Sequence, residues 1–197
     1  MGIYDKYPKF KGNRIEDTAQ IHILTKMGKG NCIGHGVVIE KGVVIGDNNY
    51  IGSYTTIGTP PEFRGGTTKG KVIIGNNNVI REYVSIQAPY HTKETKIGSD
   101  NYIMNKTHIA HDCILRDFIT LPPGVVLGGM VEVCSFTTFG MNSTVHPRLK
   151  IGKCCMIALG AGVTKDVPSF ETWGGVPAKK IGMNTKGAEK WGLKCAD

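Results

Sequence analysis

No stretch of the 197-residue chain approaches the roughly 20 consecutive apolar residues of a membrane span. The opening segment 1–20, MGIYDKYPKFKGNRIEDTAQ, has no apolar run of about 7–15 residues, so it does not read as a secretory leader. The expected compartment is the cytoplasm. Cysteine occurs six times but never as C-x-x-C, and Cys154 and Cys155 are adjacent. That spacing argues against zinc ligation by cysteine and against a disulfide framework, and it fits small buried side chains in a reducing interior. The formal charge of +8 comes without a stacking platform or groove-reading motif, which argues against nucleic acid. Part of it lies in the tail at Lys179, Lys180, Lys186, Lys190 and Lys194. These lysines suit phosphorylated small molecules, coenzyme A or an acidic carrier protein, or serve only to solvate the tail.

What the chain does have is a period. From Ile97 to Val163 an aliphatic or aromatic residue recurs at every sixth position: Ile97, Ile103, Ile109, Leu115, Leu121, Leu127, Val133, Phe139, Val145, Ile151, Ile157, Val163. The same phase runs upstream through Ile21, Met27, Ile33, Ile39, Ile45, Ile51 and Ile57, and again through Ile74, Ile80 and Ile86. Neither a helix nor an ordinary strand has this repeat; a parallel β-helix does, with one short strand and corner per hexad and three hexads per triangular coil. The reading is an all-β chain with a cap at 1–20, a β-helix of about seven coils at 21–168 and a C-terminal extension at 169–197. Two external loops, near 58–73 and 87–96, take up the breaks in phase. A small or β-branched residue two places before each aliphatic, such as Val37, Thr107 or Cys113, fills the narrow interior. Glycines after the aliphatics are expected at sharp corners.

In such a solenoid, functional residues are those the repeat does not require. His22 and His35 lie in early coils and His91 in the second loop. His111 and His146 sit on hexads 36 positions apart on one face, two coils and roughly 10 Å from each other along the axis. Between them Gly128 and Gly129 leave room and offer backbone N–H groups. An imidazole there can take a proton from a hydroxyl or amine, and Asp112 can hold its tautomer only if a corner turns the two neighbours together.

The string NKTHIAHDC at 105–113, with IREYVSI at 80–86 and IGSDNYIM at 97–104, resembles the UDP-N-acetylglucosamine acyltransferase family of lipid A (lipopolysaccharide) biosynthesis, over about Ile74 to Val167. The resemblance implies a left-handed β-helix, a homotrimer, His111 as general base, His108 lining the substrate and His146 as another active-site histidine; Asp112 and Gly129 are expected to bind substrate beside them. Where that family has Gly-His, this chain has Gly129-Met130, and the family's helical C-terminal domain is absent. The segment VTKDVPSFETWGGVPAKKIG is instead similar to the closing turn of acetyl-CoA-dependent hexapeptide acetyltransferases, which implies Gly175, Pro177, Ala178, Lys179 and Lys180 beside the coenzyme. The alternative is that Pro177 merely ends the helix. Leu159, after His146, would shorten an acyl groove.

The leading expectation is an acyltransferase that moves a short acyl group, acetyl from acetyl-CoA, to a sugar hydroxyl or amine, with no metal. The alternative donor is an acyl carrier protein. Glu62 and Arg64 in the loop TPPEFRGGTTKGKV at 59–72 are candidates to meet a nucleotide-linked sugar. Other classes considered are a zinc protein resembling γ-class carbonic anhydrases, whose histidine spacing this chain does not match, and a non-catalytic scaffold.

Overall fold

The computed structural model describes residues 10–62 and 64–194. The chain winds as a parallel β-helix whose short strands, most of two residues, stack into three sheets. The first sheet runs from Arg14–Ile15 through Cys32–Ile33 and Tyr50–Ile51 up to Met156–Ile157; the second from Gln20–Ile21 to Gly162–Val163; the third from Lys26–Met27 to Lys150–Ile151. Eight strands in the second sheet and seven in the third give the expected seven coils, of the left-handed form. Register is set residue for residue: Ile33 pairs with Ile51, Ile86 with Ile109, Leu115 with Val133.

Each hexad aliphatic points inward. Ile33, Ile51, Ile57, Ile80, Ile103 and Ile109 have no solvent exposure, and the small residues Val37, Thr55, Thr107, Cys113, Val125 and Ala161 are buried beside them. Burying one Ile or Leu contributes about 2 kcal/mol against an extended chain, an upper figure because unfolded chains already bury some surface. The columns therefore hold the coils in register, since a slip of one residue would turn every aliphatic outward.

The cap assigned to 1–20 needs correction. Ile15 is buried and Arg14–Ile15 already pairs with Cys32–Ile33, so the first rung lies inside that segment; residues 1–9 fall outside the described residues. At the other end, Glu171–Gly174 adds a parallel rung beside Met156–Ile157. Lys179–Met183 then folds back antiparallel, and a helix at Thr185–Lys190 follows. The external loops are shorter than the phase breaks suggested. Strands Thr56–Thr59 and Lys71–Ile74 extend into the first loop and leave 60–70; Ser85–Gln87 and Glu94–Ile97 confine the second to 88–93. No helix among the described residues is long and apolar enough to cross a membrane.

The corners follow a different rule from the one expected. Left-handed backbone falls mostly on non-glycine residues, among them Asn48 at φ 58°, Asp100 at 59° and Asp112 at 62°. Asn and Asp accept this conformation best, and elsewhere the stacked coils impose it. The glycine after the aliphatic serves close approach instead: a Cβ at Gly46 would sit 2.7 Å from the Gly75 carbonyl oxygen of the next coil.

Candidate active site

Both loops leave the β-helix at one corner, between the second and third sheets, in the two coils directly beneath His111. At this corner Asp112 takes the left-handed conformation, which brings its carboxylate back onto its own neighbour: His111 Nδ1 lies 2.7 Å from Asp112 Oδ2. This supplies the corner geometry that the sequence left open. Asp112 is wholly enclosed and accepts from the Tyr90, His91 and Thr92 backbone N–H groups at 2.7–3.2 Å and from the Thr92 hydroxyl at 2.6 Å. Burial favours its protonation, but the hydrogen bonds from His91, Thr92 and His111 outweigh burial and hold the carboxyl well below the usual carboxylate range. An ionised carboxylate only accepts, so Nδ1 of His111 carries the proton and Nε2 presents a lone pair.

The His111 ring itself lies against Gly129, one coil above. A Cβ built on Gly129 would lie 2.5 Å from both Nε2 and Cε1 of His111, so only glycine leaves the imidazole its place. Among the described residues no acceptor takes the Gly129 N–H. Below, the buried Gln87 holds His111 by accepting from its backbone N–H at 3.2 Å, and the Met130 N–H donates to the His111 carbonyl at 2.9 Å. A cavity of ≈ 220 Å³ opens here, lined by His91, His111, Gly129, Met130, Pro147 and Arg148. A larger one of ≈ 530 Å³ lies under the first loop, with Glu40, Lys41, Lys69 and Lys71 on its wall and neither His111 nor Asp112 among its lining residues.

The remaining expected residues divide. His108 stands half-buried on the outer face of the second sheet, in register with Ser85 below and Val126 above, and its Nδ1 is 2.7 Å from Ser85 Oγ. Burial lowers the pKa of His108, Glu62 opposes this and His111 adds to it, which puts the first loop, His108 and His111 within one electrostatic neighbourhood. Arg64 is exposed on that loop.

Three assignments change. Asp112 lines no substrate: it has no surface to offer, and it orients His111 and the second loop. His146 aligns with Gly128 and Ala110, one position short of the His111 column; it is exposed, its Nδ1 lies 3.2 Å from the Pro147 carbonyl oxygen, and Pro147 and Arg148 line the cavity in its stead. The GGVPAKK turn closes the β-helix, and its packing accounts for most of the residues assigned to the coenzyme. Gly175 has φ 92°, the Val176–Pro177 bond is cis, Ala178 is buried and its N–H donates to the Gly162 carbonyl. Lys180 is held by Glu171 at 2.7 Å and Lys179 pairs in the antiparallel return. The turn sits about three coils from His111, roughly 14 Å along the axis.

Sequence reading passed over His91, Gln87 and Arg148. Counting hexads in threes would have found the first two, since Ile57, Ile86 and Ile109 all belong to the second sheet and whatever follows them shares one corner. Cys113 is no alternative nucleophile: burial pushes its thiol up to about 12 and its Sγ points at the Gly128 carbonyl. Among the described residues no three His, Cys, Asp or Glu side chains group as a metal needs.

Comparison with known proteins bears on the fold and the family. Residues 24–59 match the family model "Bacterial transferase hexapeptide (six repeats)". The acyl-[acyl-carrier-protein]–UDP-N-acetylglucosamine O-acyltransferase of Syntrophobacter fumaroxidans is 38% identical over 169 residues, 84% of this chain and 66% of the relative. That of Herminiimonas arsenicoxydans is 39% identical over 99 residues, 50% of this chain and 38% of the relative. The chain thus spans between about a third and two thirds of the length of such curated relatives. Among solved structures, the UDP-N-acetylglucosamine acyltransferase from Campylobacter jejuni superposes with a TM-score of 0.83 at 30% identity, covering 91% of this chain and 76% of that one. The Francisella novicida enzyme gives 0.74 at 31% identity, covering 93% and 73%.

Proposed function

This chain belongs to the hexapeptide-repeat family of left-handed β-helix acyltransferases, and from that membership we propose that it transfers an acyl group from acyl carrier protein to a hydroxyl of UDP-N-acetylglucosamine or a closely similar nucleotide sugar, a step of lipid A formation. The observation that carries this reading is the His111–Asp112 pair with Nε2 set over Gly129. Nε2 of His111 accepts the proton of the sugar hydroxyl as its oxygen attacks the thioester carbonyl. The Gly129 N–H is placed to stabilise the oxyanion of the tetrahedral intermediate. When the intermediate collapses, the carbon–sulfur bond breaks, and the proton held on Nε2 passes to the leaving thiolate. Asp112, kept ionised, stabilises the imidazolium between these two transfers.

Acetyl-CoA, the donor first expected from the tail, is replaced here by acyl carrier protein. Lys180 is engaged by Glu171, the turn is remote from His111, and the relatives that span most of the chain are named for the carrier-protein donor. In this reading the outer face of the second sheet, where His108 pairs beside the exposed Val126, forms half of the substrate groove. A neighbouring copy in a homotrimer supplies the other half in this reading.

The test is a donor screen. Acyl carrier proteins of graded chain length, acyl-CoAs and acetyl-CoA are each offered with UDP-N-acetylglucosamine and related UDP-sugars. Transfer from carrier protein, lost by a factor of ~10² or more in His111→Ala with an unchanged melting temperature, is the expected result. Transfer from coenzyme A alone would overturn the donor; full activity of His111→Ala would overturn the mechanism. Light scattering should give three copies per particle.

A further inference from the structure

Asp112 presents two imidazoles, of which the proposed mechanism uses one. Its carboxylate receives His111 Nδ1 at 2.7 Å and, on the same side, the backbone N–H of His91 at 3.0 Å. The N–H groups of Tyr90 and Thr92 flank that contact, so residues 90–92 are pinned at three consecutive points to the carboxylate that orients the base. The His91 ring is therefore fixed relative to His111: the centroids lie 5.8 Å apart with the planes tilted by 50°, and Tyr90 packs edge-on against His91 at 4.7 Å. Lys69 of the first loop stands 4.3 Å from the Tyr90 ring and backs it from behind.

The composition of the cavity makes this ring significant. Gly129, Met130 and Pro147 offer an acceptor no side-chain hydrogen bond of useful strength, and His111 has Nδ1 committed to Asp112 and Nε2 to the reacting proton. His91 and Arg148 are the other lining side chains that carry polar groups. With its ring centroid 5.8 Å from that of His111 in the same cavity, His91 is near enough for one sugar to meet both imidazoles, through the reacting hydroxyl and through the substituent on the adjacent ring carbon.

We infer that His91 is a specificity residue which hydrogen-bonds the polar substituent on the carbon next to the reacting hydroxyl, so that the site selects vicinally substituted sugars, diols or acylamino alcohols, over acceptors with an isolated hydroxyl. This rests on the acyltransferase reading above and names which feature of the acceptor that site measures.

The experiment compares the unaltered chain, His91→Phe and His91→Gln, each with UDP-N-acetylglucosamine and with UDP-sugar analogues lacking the 4-hydroxyl or the 2-acylamino group. Phe keeps the ring packing on Tyr90 and removes the hydrogen bond; Gln keeps a hydrogen bond and removes the ring. Expected is a rise in KM of about tenfold for His91→Phe on the full acceptor with kcat nearly unchanged, largely rescued in His91→Gln. One of the two deoxy analogues should show no difference between the unaltered chain and His91→Phe, because the partner of His91 is already missing. An unchanged KM in His91→Phe, or the same loss on every acceptor, overturns the inference while leaving the acyltransferase intact. An unaltered chain inactive on all of these acceptors overturns the parent reading, and this inference with it.

Discussion

Two corners of the same triangular coil use their polar groups in opposite ways. At the corner between the third and first sheets each coil caps the one below: the Lys29 N–H donates to Asp47 Oδ1, Asp47 to Asn76 Oδ1, Asn76 to Ser99 Oγ, Ser99 to Asp117 Oδ1 and Asp117 to Ser135 Oγ. Just inside it, Asn13, Asn31, Asn49, Asn78 and Asn101 form a buried column in which each Oδ1 accepts from the backbone N–H of the residue above. Of this column only the Asn101 Nδ2 is left without a partner among the described residues. At the corner between the second and third sheets the ladder is interrupted. Asp112 turns to His111 and the second loop, Gly129 brings no side chain, and its N–H goes unclaimed among the described residues. One corner shows what the repeat needs in order to stand, and the other what it gives up to become reactive.

The contrast breaks most sharply at Gly129. Alanine there should leave the fold and the melting temperature intact, since the three atoms nearest the added Cβ all belong to the His111 side chain, but that ring must swing aside. Turnover should fall ~10²-fold or more, close to the loss in His111→Ala. A fully active Gly129→Ala protein would show that the ring position is not the reactive one.

Asp112→Asn comes next and should touch both stability and rate. The amide cannot accept three backbone N–H groups and also fix the His111 tautomer, so a loss of roughly 2 kcal/mol in urea unfolding is expected together with a fall in kcat. The linkage has a definite sign. Because the folded carboxyl titrates below its unfolded value, its contribution is fully present above the unfolded value near 4 and disappears as pH falls from there toward the folded one. Stability curves of the unaltered chain and of Asp112→Asn should therefore converge only under strongly acidic conditions; parallel curves down to pH 2 would contradict this.

The smallest effect belongs to the self-capping corner. Ser99→Ala removes one acceptor from the Asn76 N–H and should cost about 1 kcal/mol without altering KM or kcat. Any change in kinetics would mean that the two corners are not independent.

The same contrast explains how far the sequence could be read. The hexad phase declares the aliphatic interior, because an aliphatic at each sixth place has one geometric solution, and the string THIAHD at 107–112 marks His111 as the base proposed above. His91 was obscure because a loop interrupts the phase, and its distance from His111 exists only through the left-handed turn at Asp112. His146 was misplaced by a single position, enough at a corner to move a side chain out of the cavity and bring Pro147 and Arg148 in. The tail misled for a different reason: a glycine–proline turn with lysines looks alike whether it meets a phosphate or folds back on Glu171.

The asparagine column is also a gauge of length. Successive members sit 18 residues apart where no loop intervenes, and each offers the next coil the same acceptor. Excising residues 32–49 would hand the Asn78 N–H from Asn49 to Asn31 without orphaning a buried group, so this half of the protein can be shortened by a whole coil and should still melt cooperatively. Above Asn101 the currency changes, for Ile119 occupies the next place and the Asn101 Nδ2 finds no partner. The molecule is in this sense spliced from an interchangeable lower stem and an upper stack whose coils are individual, and the reactive corner begins in the first individual coil.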